Sequence, residues 1–241
     1  MRGGSRGVKN KNIKLINGRP LMYYTIKQAI KSKIFNNIVV STDSKKIFKL
    51  AKSFGAQGWF IRPKKLSSDS SSKVAAIKHA LLESEKYYNK KFNFIVDLDV
   101  TSPLRKVKDI INAYKFFIRK NTDILITGTT SKKNPYFNMV EIRNKGVKKV
   151  INTKKKIFRR QDAPKTYDMN AAIYIWKRKA LINSKSVIEV LQKKAKTKTI
   201  LYEMPENRSI DIDSTFDFKL VEFLLALEKY LKIGNFYTCN K

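Results

Sequence analysis

At 241 residues the chain can bury one sizeable core, and its 42% hydrophobic and 11% aromatic content excludes a disordered chain. No stretch approaches the ~20 uninterrupted apolar residues that span a bilayer, nothing at the start reads as an export leader, and the single cysteine, Cys239, fits a reducing cytoplasm. The formal net charge of +33 would suit nucleic acid, but the cations are overwhelmingly lysines scattered along the chain, as on solvated helix faces.

In chain order, LMYYTIKQAI (21–30) has helical periodicity, and FNNIVVST, around Ile38 to Val40, reads as a buried strand ending near Asp43. KKIFKLAKSFG reads as a helix closed by Gly55, and GWFIR as a short strand. A long amphipathic helix is expected over 71–88, FNFIVDLDV as a near-continuous apolar strand, 107–119 as a helix and DILITGTT as a strand. This alternation predicts an α/β fold with a mostly parallel sheet and helices on both faces. After residue 130 the rhythm changes. PYFNMVEIRNKGVKKVI predicts a hairpin turning at Asn144-Lys145-Gly146, inside a β-rich excursion over about 130–170 of a single 1–241 domain. AAIYIWKR and TILYEMP return to strand character, and SIDIDS leads as a short strand into a closing helix, with Ser214 and Asp217 spaced as a capping box.

Ligands of open α/β sheets sit beyond the C-terminal ends of the strands, which selects the RGGS loop, Ser41-Thr42-Asp43, Asp97 to Arg105 and Arg159 to Asn170, and the carboxylates of SIDIDS join them as a further candidate. RGGSRGVKNKN (2–12) has Gly3, Gly4 and Gly7 for close backbone approach, Arg2, Arg6 and Lys11 for charge, and the Ser5 hydroxyl. It is a triphosphate cradle in chemical terms without the spacing of a Walker loop, and taken alone it reads first as a flexible basic N-terminus. On a strand, SIDIDS places Asp211 and Asp213 on one face, either as Mg²⁺ ligands beside a phosphate loop or as caps of the helix that follows. DLDVTSPLR offers Thr101 and Ser102 hydroxyls, a turn at Pro103, and Arg105 to grip an anion. RRQDAPKTYDMN brings Arg159, Arg160 and Gln161 toward the strand after Asn170, or is a basic surface loop. His79, the only histidine, lies mid-helix, and there is no Ser/His/Asp set or Cys/His cluster. Hydrolase triads and zinc are thereby excluded, and metal-assisted phosphate chemistry remains.

Taken together and in this order, RGGSRGVKNKNI, IVVSTDS, RPKKLSSDSSS, VTSPLR, RRQDAPKTYDMNAAIYI and SIDIDSTFDF resemble the acylneuraminate cytidylyltransferases, or CMP-nonulosonate synthetases. The resemblance runs from Arg2 to about Leu225 and is nearest the bacterial branch that activates legionaminic acid and related sugars. It implies a three-layer Rossmann-like nucleotidyltransferase sheet and attack of a nine-carbon 2-keto acid sugar on the α-phosphorus of CTP, releasing pyrophosphate. Arg2, Gly3, Gly4, Ser5, Arg6 and Lys11 fall on the family's triphosphate loop, and Asn12 on its Lys-Asn pair. Arg62 and Ser71 fall on the nucleotide-contacting stretch. Asp99, Thr101, Ser102 and Arg105, with Arg160, Gln161, Asn170 and Tyr174, fall on the sugar side, and Asp211 and Asp213 on the Mg²⁺-binding DxD. The resemblance also implies a homodimer, the β-rich excursion reaching the partner's site.

The chain departs from the family pattern in four places. Asp99 stands where Gln is common, so a sugar hydroxyl or amide rather than its carboxylate is expected there. Arg6 stands for Lys, and Asp168 for an Arg of some relatives. The family has an apolar strand before its glycine loop, whereas this chain starts after it, so poor folding and low activity are expected of the chain as written. The alternatives are a basic nucleic-acid-binding protein and an inactive truncated remnant.

Overall fold

The computed structural model describes residues 1–4, 7–143, 146–154, 156–192 and 197–238, with side chains as far as 231. Ser5, Arg6, Asn144, Lys145 and Cys239 lie outside the described residues.

The first element is a tight hairpin that sequence reading missed, β1 (Leu15–Ile16) and β2 (Arg19–Pro20). Its turn is Asn17-Gly18, with φ of 47° and 75°, the left-handed pair that the dipeptide Asn-Gly favours. Helix α1 (Leu21–Ser32) follows Pro20 directly. Helix α2 (Lys45–Ser53) is capped by Ser44, whose Oγ accepts from the Ile47 amide, and Gly55 closes it at φ 101°. Between these helices, Ile38 to Thr42 does not form the expected strand. It runs parallel to 57–62 through three hydrogen bonds: Gln57 N to Ile38 O, Val40 N to Gln57 O, and Arg62 N to Thr42 O. GWFIR is likewise extended rather than a strand.

Helix α3 (Lys73–Tyr88) leads to β3 (Phe94–Leu98), α4 (Val107–Lys120) and β4 (Ile124–Thr130). The expected hairpin is present as β5 (Val140–Arg143) and β6 (Gly146–Lys149), paired from Val140↔Lys149 to Arg143↔Gly146. Then come β7 (Tyr167–Lys177), α5 (Arg178–Asn183), β8 (Thr199–Glu203) and α6 (Thr215–Thr238).

The larger sheet has the order β3-β7-β4-β8. Strands β3, β4 and β8 run the same way and β7 alone is antiparallel to its neighbours, so the mostly parallel sheet expected from the alternation carries one reversed strand. The β5–β6 excursion replaces the helix that would have carried β7 back to run parallel. Side chains alternate across the sheet as a two-residue period requires. Ile124, Ile126, Tyr174 and Trp176 pack toward α3 and α5, while Leu125, Ile173 and Ile175 pack toward α4. A third cluster joins Val40, Ile47, Leu104, Ile212 and Phe218 beneath α1, α2 and α6. The result is a three-layer α/β arrangement.

The ladder between β4 and β7 skips: Leu125 faces Ile175, but Thr127 faces Asn170. The residues between Asn170 and Ile175 bulge out of that pairing, at the sheet end where the polar stretches gather. Among the described residues, no helix is long and apolar enough to cross a membrane.

Candidate active site

The glycine loop lies against the chain just before α6. A Cβ on Gly7 would stand 1.9 Å from the Asp213 carbonyl oxygen, so only glycine allows this approach. Lys11 crosses the same junction, its Nζ donating to the Ile212 carbonyl at 2.5 Å and lying 3.5 Å from Asp213 Oδ1. The Gly3 amide donates to Asp43 Oδ1 at 2.8 Å, and buried Asn12 donates to the Arg2 carbonyl at 2.9 Å. Arg2 itself is one-third exposed and pairs with Asp69 at 2.5 Å. Gly4 has open space where a side chain would be. Arg62 is buried; it donates to the Met1 carbonyl at 3.1 Å and to the Ser41 carbonyl at 2.5 Å, and burial lowers its pKa. It therefore braces the loop from below. Ser71 donates to the Lys65 carbonyl at 3.1 Å, in the same 65–71 region as Asp69.

SIDIDS is extended but pairs with no strand; a single backbone bond, Ile212 N to Thr101 O at 2.9 Å, ties it to TSPLR. Ile212 is fully buried. Asp211 accepts from the Ser102 hydroxyl and, at 3.2 Å, from the Ala171 amide on the β7 bulge. Its pKa is raised because burial outweighs those two hydrogen bonds. The Asp213 side chain is 84% exposed and points to solvent beside Lys11. The cap of α6 is Ser214, whose Oγ accepts from Asp217 N at 3.1 Å while Asp217 Oδ2 accepts from Ser214 N at 2.7 Å. Capping therefore does not occupy the side chains of Asp211 or Asp213. Their oxygen donors fit a hard cation that also takes phosphate and water oxygens.

Arg105 requires a correction. The sequence places it to grip an anion, but its guanidinium is fully buried. It donates to the carbonyls of Asp99 at 3.1 Å and Ala172 at 2.5 Å, and to Thr25 Oγ1 and Gln28 Oε1, each at 3.0 Å. Burial lowers its pKa to about 10, still a cation at neutral pH. Arg105 is the pin that joins α1, the end of β3 and the β7 bulge.

On the sugar side, Asn170 is buried, its Oδ1 accepting from Thr127 Oγ1 at 2.6 Å and from Ala172 N at 3.2 Å. Its Nδ2 is buried without a hydrogen-bond partner. The buried Tyr174 ring carries the Lys73 ammonium 4.7 Å from its centroid, and burial raises the phenol pKa. Arg160 donates to the Ser131 carbonyl, and both Arg160 and Gln161 are exposed. They lie in a short turn, Arg160–Asp162, tied to Ser131 at the end of β4.

Two residues here escaped sequence reading, Lys73 and Asp97. Lys73 Nζ lies 2.7 Å from Asp97 Oδ2 and 3.1 Å from Asp99 Oδ2. Burial works against the Asp99 carboxylate, but Lys73 and the Thr101 amide override it and hold its pKa well below the usual range. Asp97 was legible in part, since VDLDV puts it on the same strand face as Asp99.

A profile of the family described as Cytidylyltransferase matches residues 1–235. The chain is 44% identical over 236 residues to a protein of Campylobacter coli named post-translational flagellin modification protein B, covering 98% of this chain and 96% of that one. It is 45% identical to the CMP-N,N'-diacetyllegionaminic acid synthase of Campylobacter jejuni, over 94% and 93% of the two chains. It is 29% identical to the synthase of that name from Legionella pneumophila, over 95% and 94%. Among solved structures, a CMP:2-keto-3-deoxy-manno-octonic acid synthetase complexed with CTP aligns with a TM-score of 0.67 at 15% identity, over 95% of this chain and 96% of that one, a likeness of fold.

Proposed function

The chain belongs to the cytidylyltransferase family, and from that premise we propose that it activates a nine-carbon acidic sugar of the legionaminic or neuraminic type with CTP. The sugar's anomeric hydroxyl attacks the α-phosphorus of CTP, an oxygen–phosphorus bond forms, and pyrophosphate leaves. The observation that carries this reading is the junction of Gly7, Lys11, Ile212 and Asp213, which sets a cationic glycine loop directly on the segment that carries Asp211 and Asp213.

Both substrates are anions, so their repulsion must be cancelled where they meet. Arg2 and Lys11 flank the loop to take the triphosphate, with the loop amides as further donors. Asn12 and Arg62 keep the loop backbone in place through the carbonyls of Arg2 and Met1. Asp211 and Asp213 would hold a divalent cation, Mg²⁺, which when bound neutralises phosphate charge and stabilises the leaving pyrophosphate. Ser102 and the Ala171 amide orient Asp211 for that task. Asn170 offers its unpartnered Nδ2 on the sugar side. The excess of lysine over acid draws anionic substrates toward the cleft.

We also infer a homodimer built on the excursion. Val140, Ile142 and Val147 of the β5–β6 hairpin are exposed, Ile142 at 88%, which supports a face covered by a second copy. Light scattering should find a dimer that Ile142→Lys converts to monomer; a monomeric wild type refutes the inference.

The test of the function is pyrophosphate release in the presence of Mg²⁺, CTP and a panel of nine-carbon acids. Activity with at least one acid, absent with ATP or GTP, is expected. No release with any of them overturns the reading.

A further inference from the structure

The Lys73–Asp97–Asp99 cluster lies at the C-terminal end of β3, over the Tyr174 ring and beside the TSPLR turn. The Lys73 ammonium lies between two carboxylates, and the buried Arg105 guanidinium beside Asp99 supplies a second cation, so the cluster is balanced. The partly exposed cations of the cleft, Arg2 and Lys11, lie on the nucleotide side. A substrate carboxylate finds its partners there, whereas Asp99 offers only an acceptor.

Asp99 retains capacity for a ligand. An ionised carboxylate has about four acceptor positions. Asp99 uses one for Lys73 and another for the Thr101 amide at 3.3 Å, and its side chain is 29% exposed. It can donate nothing, so it can receive only a hydroxyl or an amide N–H. Lys73 decides where that carboxylate points. It comes from the first turn of α3, is held from the far side by Asp97, and rests on the Tyr174 face, so its ammonium has little freedom.

We propose that Lys73 is a positioning residue for sugar recognition: clamped by Asp97, it fixes Asp99 as an acceptor for a hydroxyl or acylamido N–H and turns the sugar's carboxylate toward the cationic side. This rests on the sugar-activating reading above and adds to it the chemistry by which one end of the sugar is chosen. Removal of Lys73 takes away the ammonium that bridges Asp97 and Asp99, so Asp99 swings away or takes up a proton. Either outcome weakens sugar binding and leaves the triphosphate contacts alone.

The experiment measures kcat and separate KM values for CTP and for the nine-carbon acid that wild type uses best, in wild type, Lys73→Met, Lys73→Arg and Asp99→Asn, with thermal midpoints alongside. Lys73→Met should raise the sugar KM about tenfold or more, leave the CTP KM within about twofold, and be largely rescued in Lys73→Arg, which restores the cation. Asp99→Asn, which keeps the shape but exchanges an acceptor for a donor, should raise the sugar KM by a similar factor. Should Lys73→Met fail to fold, Asp99→Asn carries the test alone. An unchanged sugar KM in either folded variant, or equal rises in both KM values, overturns the proposal while wild-type turnover keeps the enzyme reading intact. A wild type inactive on every acid overturns both.

Discussion

Gly7→Ala isolates the contact between the glycine loop and the carboxylate segment. The added methyl would begin 1.9 Å from the Asp213 carbonyl oxygen, whereas carbon and oxygen normally approach no closer than about 3.3 Å. The loop or the 211–214 segment must therefore retreat by about 1.4 Å. That motion also pulls Lys11 from the Ile212 carbonyl, since both bonds span the same junction. A displacement of about 1 Å in a positioned group can cost ~10²-fold in rate, equivalent to about 2.7 kcal/mol of barrier. We expect kcat/KM for pyrophosphate release to fall about 100-fold and the thermal midpoint to fall as well, since buried Val8 and Ile212 flank the contact, so the assay is run below both midpoints. Gly4→Ala is the control for stability, because open space surrounds that position, and its midpoint should match wild type. A Gly7→Ala enzyme within about threefold of wild type would refute the claim that this contact sets the site.

Asp211→Asn and Asp213→Asn should each reduce turnover about 100-fold or more with unchanged thermal midpoints, and excess chelator should silence the wild type; full activity in both variants would remove them from cation binding. Arg105→Met should lower unfolding free energy in urea by about 3–5 kcal/mol, because it strands four internal acceptors, and Arg105→Lys should not restore it. A loss below ~1 kcal/mol would show that the guanidinium is not a pin. Glu85 accepts from Arg178 at 2.7 and 2.8 Å, and these bonds pull its pKa below the ordinary value of 4.5. A depressed carboxylate contributes stability that is complete above the unfolded value and lost as pH falls through the folded one. The wild type should therefore lose more stability than Glu85→Gln on going below pH 4.5, and parallel curves would contradict the pairing.

The helices other than α5, and most strands, were legible because their signals are local: apolar spacing, Gly55 after α2, the Ser214/Asp217 box before α6. The direction of β7 was not, since alternation looks the same in parallel and antiparallel strands and only the connection decides. SIDIDS misled for a related reason. Its period of two is real, burying Ile212 and leaving Asp213 outside, but a strand needs a ladder and this segment has one backbone bond of that kind, to Thr101. The harder problem is which cations are available to a ligand, because that depends on acceptors far away in sequence. Arg105 is consumed by Thr25 and Gln28, which lie 80 and 77 positions earlier, and Asp99 is set by Lys73, 26 positions away. Arg62 is spent on the Met1 and Ser41 carbonyls in the same manner. Among the described residues Arg2 and Lys11 remain, each now held by groups that a triphosphate would replace, Asp69 for one and the Ile212 carbonyl with the more distant Asp213 for the other. Because the Lys11–Asp213 pair is long at 3.5 Å and its carboxylate largely exposed, whereas Arg2 sits 2.5 Å from Asp69, the exchange favours the ligand at Lys11 more than at Arg2. Lys11→Met should therefore raise the CTP KM more than Arg2→Met does, and the reverse order would mean that the Asp69 pair is broken at little cost.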